Sequence, residues 1–398
     1  MVRRAAWIAL ATATLVVLGG LEWLIGNGQA AALVGVDRAL PSSVDPWAEP
    51  LEPKRAALFY DRFETLTVDD GLPSNKVTTV LADGDDLWVG TNRGLARRRG
   101  DKWRIWTEED GLGHRYVTSL ALDPRTGDLW VSTLGGLSRL SGDSVRNHTQ
   151  LTSGLMNDVV YQVVTDGELV WAATAAGTSV YDLATRSWAL YDHENSIMHE
   201  PWCYGVALGP ERTWIGVWGG GVVELDRSTG HWREYRDPDH EMELDLLRDD
   251  GPVHDVTAFV AWADGLLWQA TYFGLSRYDG RSWRTFRQSD SGLPGDFINH
   301  VAALGRTAFL GTDEGFGVLH GETAVTYKAI EGGGSDVSVY TGGELVEQRR
   351  LSTGPGDNYV LWTHPVEGEV WIATAHGLSR GIAAAAAEES AVINKERP

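Results

Sequence analysis

The residues of this chain best suited to chemistry are aromatics standing beside carboxylates and imidazoles. Trp202, Tyr204 and Trp218 form one group, Tyr272 and Phe273 a second, and His199, Glu200, His254 and Asp255 accompany them. Aromatic faces stack on the CH faces of a sugar while carboxylates and imidazoles meet its hydroxyls. Arg93 and Arg115 complete this expected ligand-binding set. The competing reading is that the aromatics only pack loops. A second chemistry would draw on His114, His199 and His254 with Asp158, Asp255 and Asp296. Imidazole plus carboxylate can hold a divalent cation such as Zn, Mn or Mg, which activates water or polarises a carbonyl. No short-range ligand spacing supports that set, so the expectation is no metal, no cofactor and no catalytic residue. Cys203 precedes an apolar strand, which predicts a buried thiol.

These groups are embedded in a chain of 398 residues with 34 Lys plus Arg against 55 Asp plus Glu, a formal charge of −21. Such a balance repels phosphate and argues against nucleic acid or an anionic membrane surface as a partner. The single cysteine excludes a disulfide framework and a multi-cysteine metal site. The count of 47 Gly demands many tight turns, and 18 Trp demand a recurrent position.

That position emerges on aligning Leu87-Trp88-Val89-Gly90-Thr91 with the segments centred on Trp130, Trp171, Trp214, Trp268, Phe309 and Trp371. The intervals are 42, 41, 43, 54, 41 and 62 residues, so seven units share a period and two carry insertions. Each unit adds a β-branched run upstream, a Gly-Leu-Ser-Arg-like run downstream (Gly136-Leu137-Ser138-Arg139) and an alternating aromatic segment (Trp232-Arg233-Glu234-Tyr235). Four short strands per unit define an antiparallel blade. Seven blades bury both faces by packing around an axis, which predicts an all-β seven-bladed β-propeller over 58–381. The repeated Trp then fills the gap between blades. The last unit stops after its third strand, so Phe63-Glu64-Thr65-Leu66-Thr67 is expected to supply the fourth and close the ring.

Residues 62–380 resemble the two-component regulator propeller repeat family, through Gly71-Leu72-Pro73-Ser74-Asn75, Asp85-Asp86-Leu87-Trp88-Val89-Gly90-Thr91 and Gly94-Leu95. The resemblance implies an extracytoplasmic sensor of the kind found in membrane histidine kinases, often recognising saccharides. Only Gly381 to Pro398 follow Arg380, so a stand-alone propeller without a kinase is expected. A more distant resemblance to streptogramin-lyase-like propellers implies metal-assisted elimination as the alternative.

Outside the repeats, Arg3 and Arg4 precede an apolar stretch over 5–25. This reads as an inner-membrane anchor helix, or as a signal peptide cleaved near Ala30 within residues 1–30, and either places the body in the periplasm. Residues 31–57 read as a Pro-rich linker and 382–398 as a flexible tail. Two insertions stand out: an acidic loop over 236–251 and a segment over 331–356 expected as a hairpin over the propeller mouth. The expected function is non-catalytic recognition of a saccharide-like ligand or an envelope protein. The rivals are the metal-assisted lyase or hydrolase and a structural subunit of an envelope complex.

Overall fold

The computed structural model describes residues 57–238 and 251–383. The expected anchor helix and most of the Pro-rich linker, of the acidic loop and of the tail lie outside the described residues; Ile382 and Ala383, expected in the tail, instead end the strand Gly377–Ala383. Among those described, no helix is long and apolar enough to cross a membrane.

Among the described residues, thirty strands form seven antiparallel sheets, six of four strands and one of six. Blade one illustrates the pattern, with strands Val77–Asp83, Asp86–Thr91, Gly94–Arg99 and Lys102–Trp106 in spatial order. The first strands of neighbouring blades lie against one another and surround the axis. In blade seven the outermost strand is Tyr60–Leu66, antiparallel to Gly377–Ala383 with Glu64 opposite Arg380 and Leu66 opposite Leu378.

The core consists of seven separate clusters, one per seam between blades. Each holds the second-strand aromatic of one blade against the first strand of the next. Trp88 meets Val117 and Leu120, Trp171 meets Cys203 and Val206, Trp268 meets Ile298 and Val301, and Phe309 meets Val360. Two residues after each aromatic the side chain is small: Gly90, Ser132, Ala173, Gly216, Ala270, Gly311 and Ala373. The reason is close approach. A Cβ on Gly90 would stand 2.6 Å from Val117 Cγ1, and one on Gly216 would stand 2.6 Å from Thr257 Cγ2.

Third-strand arginines cover the tryptophans from outside. Arg97, Arg139 and Arg380 lie over Trp88, Trp130 and Trp371, with guanidinium carbons 5.0, 5.3 and 5.6 Å from the ring centres. Each also pairs with the acid two residues before its tryptophan. Arg97 Nε donates to Asp86 at 2.9 Å, Arg139 Nε to Asp128 at 2.7 Å and Arg380 Nε to Glu369 at 2.8 Å. Arg99 and Arg97 together hold the Asp86 carboxyl down at about 2.

The second insertion differs from the expected hairpin over the mouth. Ser335–Thr341 and Glu344–Leu351 extend blade six outward, pairing in turn beyond Thr323–Ala329. Alternation explains the placement: Val337 and Val339 face the seam already occupied by Tyr60, Phe63 and Tyr327, while Tyr340 packs toward the seam between blades five and six.

Two outcomes follow from the seams. Trp171→Ala should cost about 3–5 kcal/mol in denaturant unfolding, whereas Ile105→Ala, which removes an exposed side chain, should leave the midpoint unchanged. His148 is buried among Trp130, Tyr181 and Trp188, and burial, with Arg146 and Arg139, lowers it to about 4. The unfolded chain therefore takes up this proton near pH 6.5, before the native state does, so its contribution to stability is full above that pH and falls between 6.5 and 4. Thermal melts across that window should show a shallower loss for His148→Phe than for the unsubstituted protein.

Candidate functional site

Repeat phase decides which side chains reach the axis. In five blades the residue two before the first strand ties its loop back: the side-chain oxygens of Asn75, Asp158, Asp255, Asp296 and Asn358 accept from the backbone N–H of Val68, Gln150, Asp237, Gln288 and Ala329 at 2.6–2.8 Å. In blade two the polarity reverses, and the N–H and Nε of Arg115 both donate to Glu108 at 2.9 Å. Three of the expected acids and one expected arginine thus hold loops. Asp255 also accepts from Arg236 NH2 at 3.0 Å.

One residue into the first strand, Thr78 and Thr118 donate to the carbonyls of Val117 and Val160 in the following blade, both at 2.6 Å. Blades three and four put tyrosine at that position. Tyr161 and Tyr204 stack with ring centres 4.2 Å apart and planes within 9°. Tyr204 continues to Trp218 at 5.1 Å, Trp218 meets Tyr272 edge-on at 5.1 Å, and Tyr272 stacks on Phe297 at 3.6 Å. One aromatic arc therefore crosses four blades. Tyr116 and Tyr359, immediately before the first strands of blades two and seven, bring their phenols toward it. Burial raises the phenol of each tyrosine; in addition Tyr359 opposes ionisation of Tyr116 and Tyr272, and Tyr204 that of Tyr161 and Tyr272. Lys76 of blade one lies 5.9 Å over the Tyr116 ring. Asp313 faces Tyr359 from blade six, its carboxyl raised by burial and by Glu314. All seven blades contribute.

Of the expected ligand-binding residues, Tyr204, Trp218 and Tyr272 stand in the arc. Trp202 supports it through its carbonyl, which accepts from Trp218 N–H at 2.9 Å. Phe273 turns the other way and stacks on His254, 4.1 Å between centres. His254 is buried, its Nδ1 accepts from Val256 N–H at 2.9 Å, and burial lowers its basicity. His199 is exposed, 3.6 Å from Glu234, while Glu200 is half-buried near Gly219. Arg93 is exposed on its turn. His114 Nδ1 accepts from Tyr116 N–H at 2.9 Å, the arrangement repeated by His254. Among the described residues no group of three or more His, Cys, Asp or Glu is placed to hold a metal ion. Cys203 is fully buried and its thiol is pushed up to about 12.

Tyr116, Tyr161, Phe297 and Tyr359 escape a reading by residue type alone. Their signal is the repeat phase, one residue either side of a first-strand start. At neutral pH the mouth offers ring faces, uncharged hydroxyls, one ammonium and one carboxyl. That is equipment for holding a polar molecule with apolar faces, and it places no activated nucleophile among them.

The fold and mouth define a seven-bladed propeller with an aromatic axial site, and comparison adds the repeat's kinship. Residues 71–93 match the two component regulator propeller family. The structure is similar to the extracellular domain of a protein described as a hybrid two component system of B. thetaiotaomicron (TM-score 0.61, 14% identity, 81% of this chain and 42% of that one). It is also similar to the extracellular domain of a one component system of the same organism (TM-score 0.59, 16% identity, 81% and 40%). The chain thus spans about two fifths of those two. Virginiamycin B lyase from Staphylococcus aureus shares the fold at TM-score 0.56 and 12% identity, over 81% of this chain and 99% of that one. No curated protein matches in sequence.

The buried phenols give a direct check on the mouth. Eight of the 12 tyrosines carry raised phenols, namely Tyr116, Tyr161, Tyr191, Tyr204, Tyr235, Tyr272, Tyr327 and Tyr359. Absorbance at 295 nm should show these eight still protonated at pH about 10, where an unfolded phenol is half ionised. Because the folded values are raised, their stabilisation is complete below that pH and is lost as pH climbs further.

Proposed function

We propose that this chain is an extracytoplasmic, non-catalytic recognition module that takes a saccharide-like ligand at the aromatic mouth. The observation that carries the proposal is the continuous arc Tyr161–Tyr204–Trp218–Tyr272–Phe297. The ring faces and edges that the stacked pairs leave open accept the apolar face of a sugar unit, and the neighbouring phenols and Asp313 offer partners to hydroxyls. The extracellular placement of the similar two component and one component domains supports an extracytoplasmic reading. The apolar stretch over 5–25 would hold the module at the inner membrane, where an envelope protein is the competing partner.

The test is thermal melting of the full chain against neutral oligosaccharides and against Zn, Mn and Mg with and without chelator. A ligand at a hundredfold excess over its Kd stabilises by about 2.7 kcal/mol, so a shift of several degrees is expected with a matching glycan. Trp218→Ala and Tyr272→Ala should remove that shift. A flat glycan panel, or a shift that survives Trp218→Ala, overturns the proposal. A chelator-sensitive metal shift lost in His254→Ala would transfer the function to the lyase or hydrolase class.

A further inference from the structure

Blade five breaks the charge rule that the other blades keep. In blades one, two and seven the third-strand arginine faces an acid two residues before the tryptophan. Blade four reverses the pair, with Arg212 Nε 3.4 Å from Glu224. Blades three and six are neutral there, with Leu169 facing Val180 and Thr307 facing Val318. Blade five keeps the arginine, Arg277, and replaces the acid by Leu266.

Arg277 consequently has no hydrogen bond or ion pair among the described residues; its contacts are two rings, Trp268 at 5.7 Å and Phe286 at 5.4 Å. It is half-buried, and Arg284 and Arg306 add positive charge nearby, against Glu322 and Asp279 acting through space. Glu322 is itself bound by Arg284. A half-buried guanidinium over aromatic faces keeps its N–H groups in one rigid plane, the fork that matches a carboxylate with two parallel hydrogen bonds.

The second departure from the repeat lies at the same place. Arg277 opens into a groove of about 570 Å³ between blades five and six, closed on one side by Gly342-Gly343 at the tip of the added strands. The tip lies against the end of blade five: a Cβ on Gly343 would stand 2.1 Å from the Asp290 carbonyl, while Gly342 N–H holds the tip to its own blade by donating to the Glu322 carbonyl at 3.1 Å. Trp283 and Phe286 supply an apolar wall, and Ser282, Thr285 and Ser291 supply hydroxyls. Asp290 also lines the groove, with its carboxylate accepting from Arg287 N–H at 2.9 Å.

We infer that Arg277 and this groove form a binding site for the carboxylate of a small organic acid, separate from the mouth. The missing acid of the repeat is supplied by the ligand, and the hydroxyls and ring faces hold the remainder of an acid of about sugar size.

The experiment is equilibrium dialysis of the full chain with glucuronate, citrate, phosphate and sulfate, each against sodium chloride of equal ionic strength. One carboxylate per chain should bind, Arg277→Gln should weaken it about tenfold or more, and Trp218→Ala should leave it unchanged. Leu266→Asp, which restores the repeat's own acid, should weaken binding to a similar degree; if that buried substitution prevents folding, Arg277→Gln decides alone. Equal binding by Arg277→Gln, or no binding above the chloride control, overturns the site. Phosphate or sulfate binding without the carboxylates overturns the ligand class. Loss of binding in Trp218→Ala would assign the acid to the mouth instead.

Discussion

The fold depends on one contact repeated seven times: an aromatic on the second strand of a blade wedged against the first strand of the next. A sheet of four short strands cannot stand alone in water, because both of its faces are apolar. The wedge removes both faces from solvent only when the blades close around an axis. The small residue two positions on is part of the same contact, since Gly90, Gly216 and Gly311 let Val117, Thr257 and Val360 on the next blade's inner strand come close to the second strand. Bulk at the aromatic and its absence beside it set the angle between blades. That angle brings seven first-strand starts to one mouth.

With the ring set in this way, the repeat becomes a ruler for function. A polar residue at a repeat position serves the ring: Asn75, Asp158, Asp255, Asp296 and Asn358 all tie loops, and the arginines over Trp88, Trp130 and Trp371 all answer an acid. Residues that depart from the repeat do no such work. Tyrosine replaces threonine at 161 and 204, where the ring gives up inter-blade hydrogen bonds like those of Thr78 and Thr118 and gains an aromatic face. Leucine replaces the acid at 266 and leaves a cation. Two strands are added to blade six, and their tip meets that cation's groove. The mouth and the rim groove are therefore distinct departures from one plan.

The two sites also differ electrostatically in a chain of strongly negative formal charge. The mouth presents phenols whose ionisation burial opposes, with Lys76 over the Tyr116 ring and Asp313 beside Glu314. Such a surface discriminates by shape and stacking. The groove presents a guanidinium without a partner, and charge-assisted hydrogen bonds are its main means of selection. A neutral ligand suits the first and an anion the second.

Much of this was legible in the sequence. Trp88 and its six counterparts, at near-constant spacing with Gly-rich turns, determine the blade count, the strand order within a blade and the buried role of the aromatics, because local periodicity and burial by neighbours act over one or two units. Tyr204, Trp218 and Tyr272 were also visible as a group, since they fall on adjacent units. What only the tertiary structure decided involves contacts across the axis or between distant units. Tyr116 and Tyr359 lie far apart in the chain, yet Tyr359 opposes the ionisation of Tyr116. Phe273 and Tyr272 are adjacent in sequence and point to different partners. Leu266 is visible two residues before Trp268, but only the structure brings Arg277 to a groove closed by the distant Gly342-Gly343. The strands at 335–351 carry a hairpin's sequence, and only the open edge of blade six, with Val337 and Val339 drawn to the neighbouring seam, determines that they widen a blade instead of covering the mouth. Sequence periodicity specifies the unit; closure of the ring decides which side chains meet.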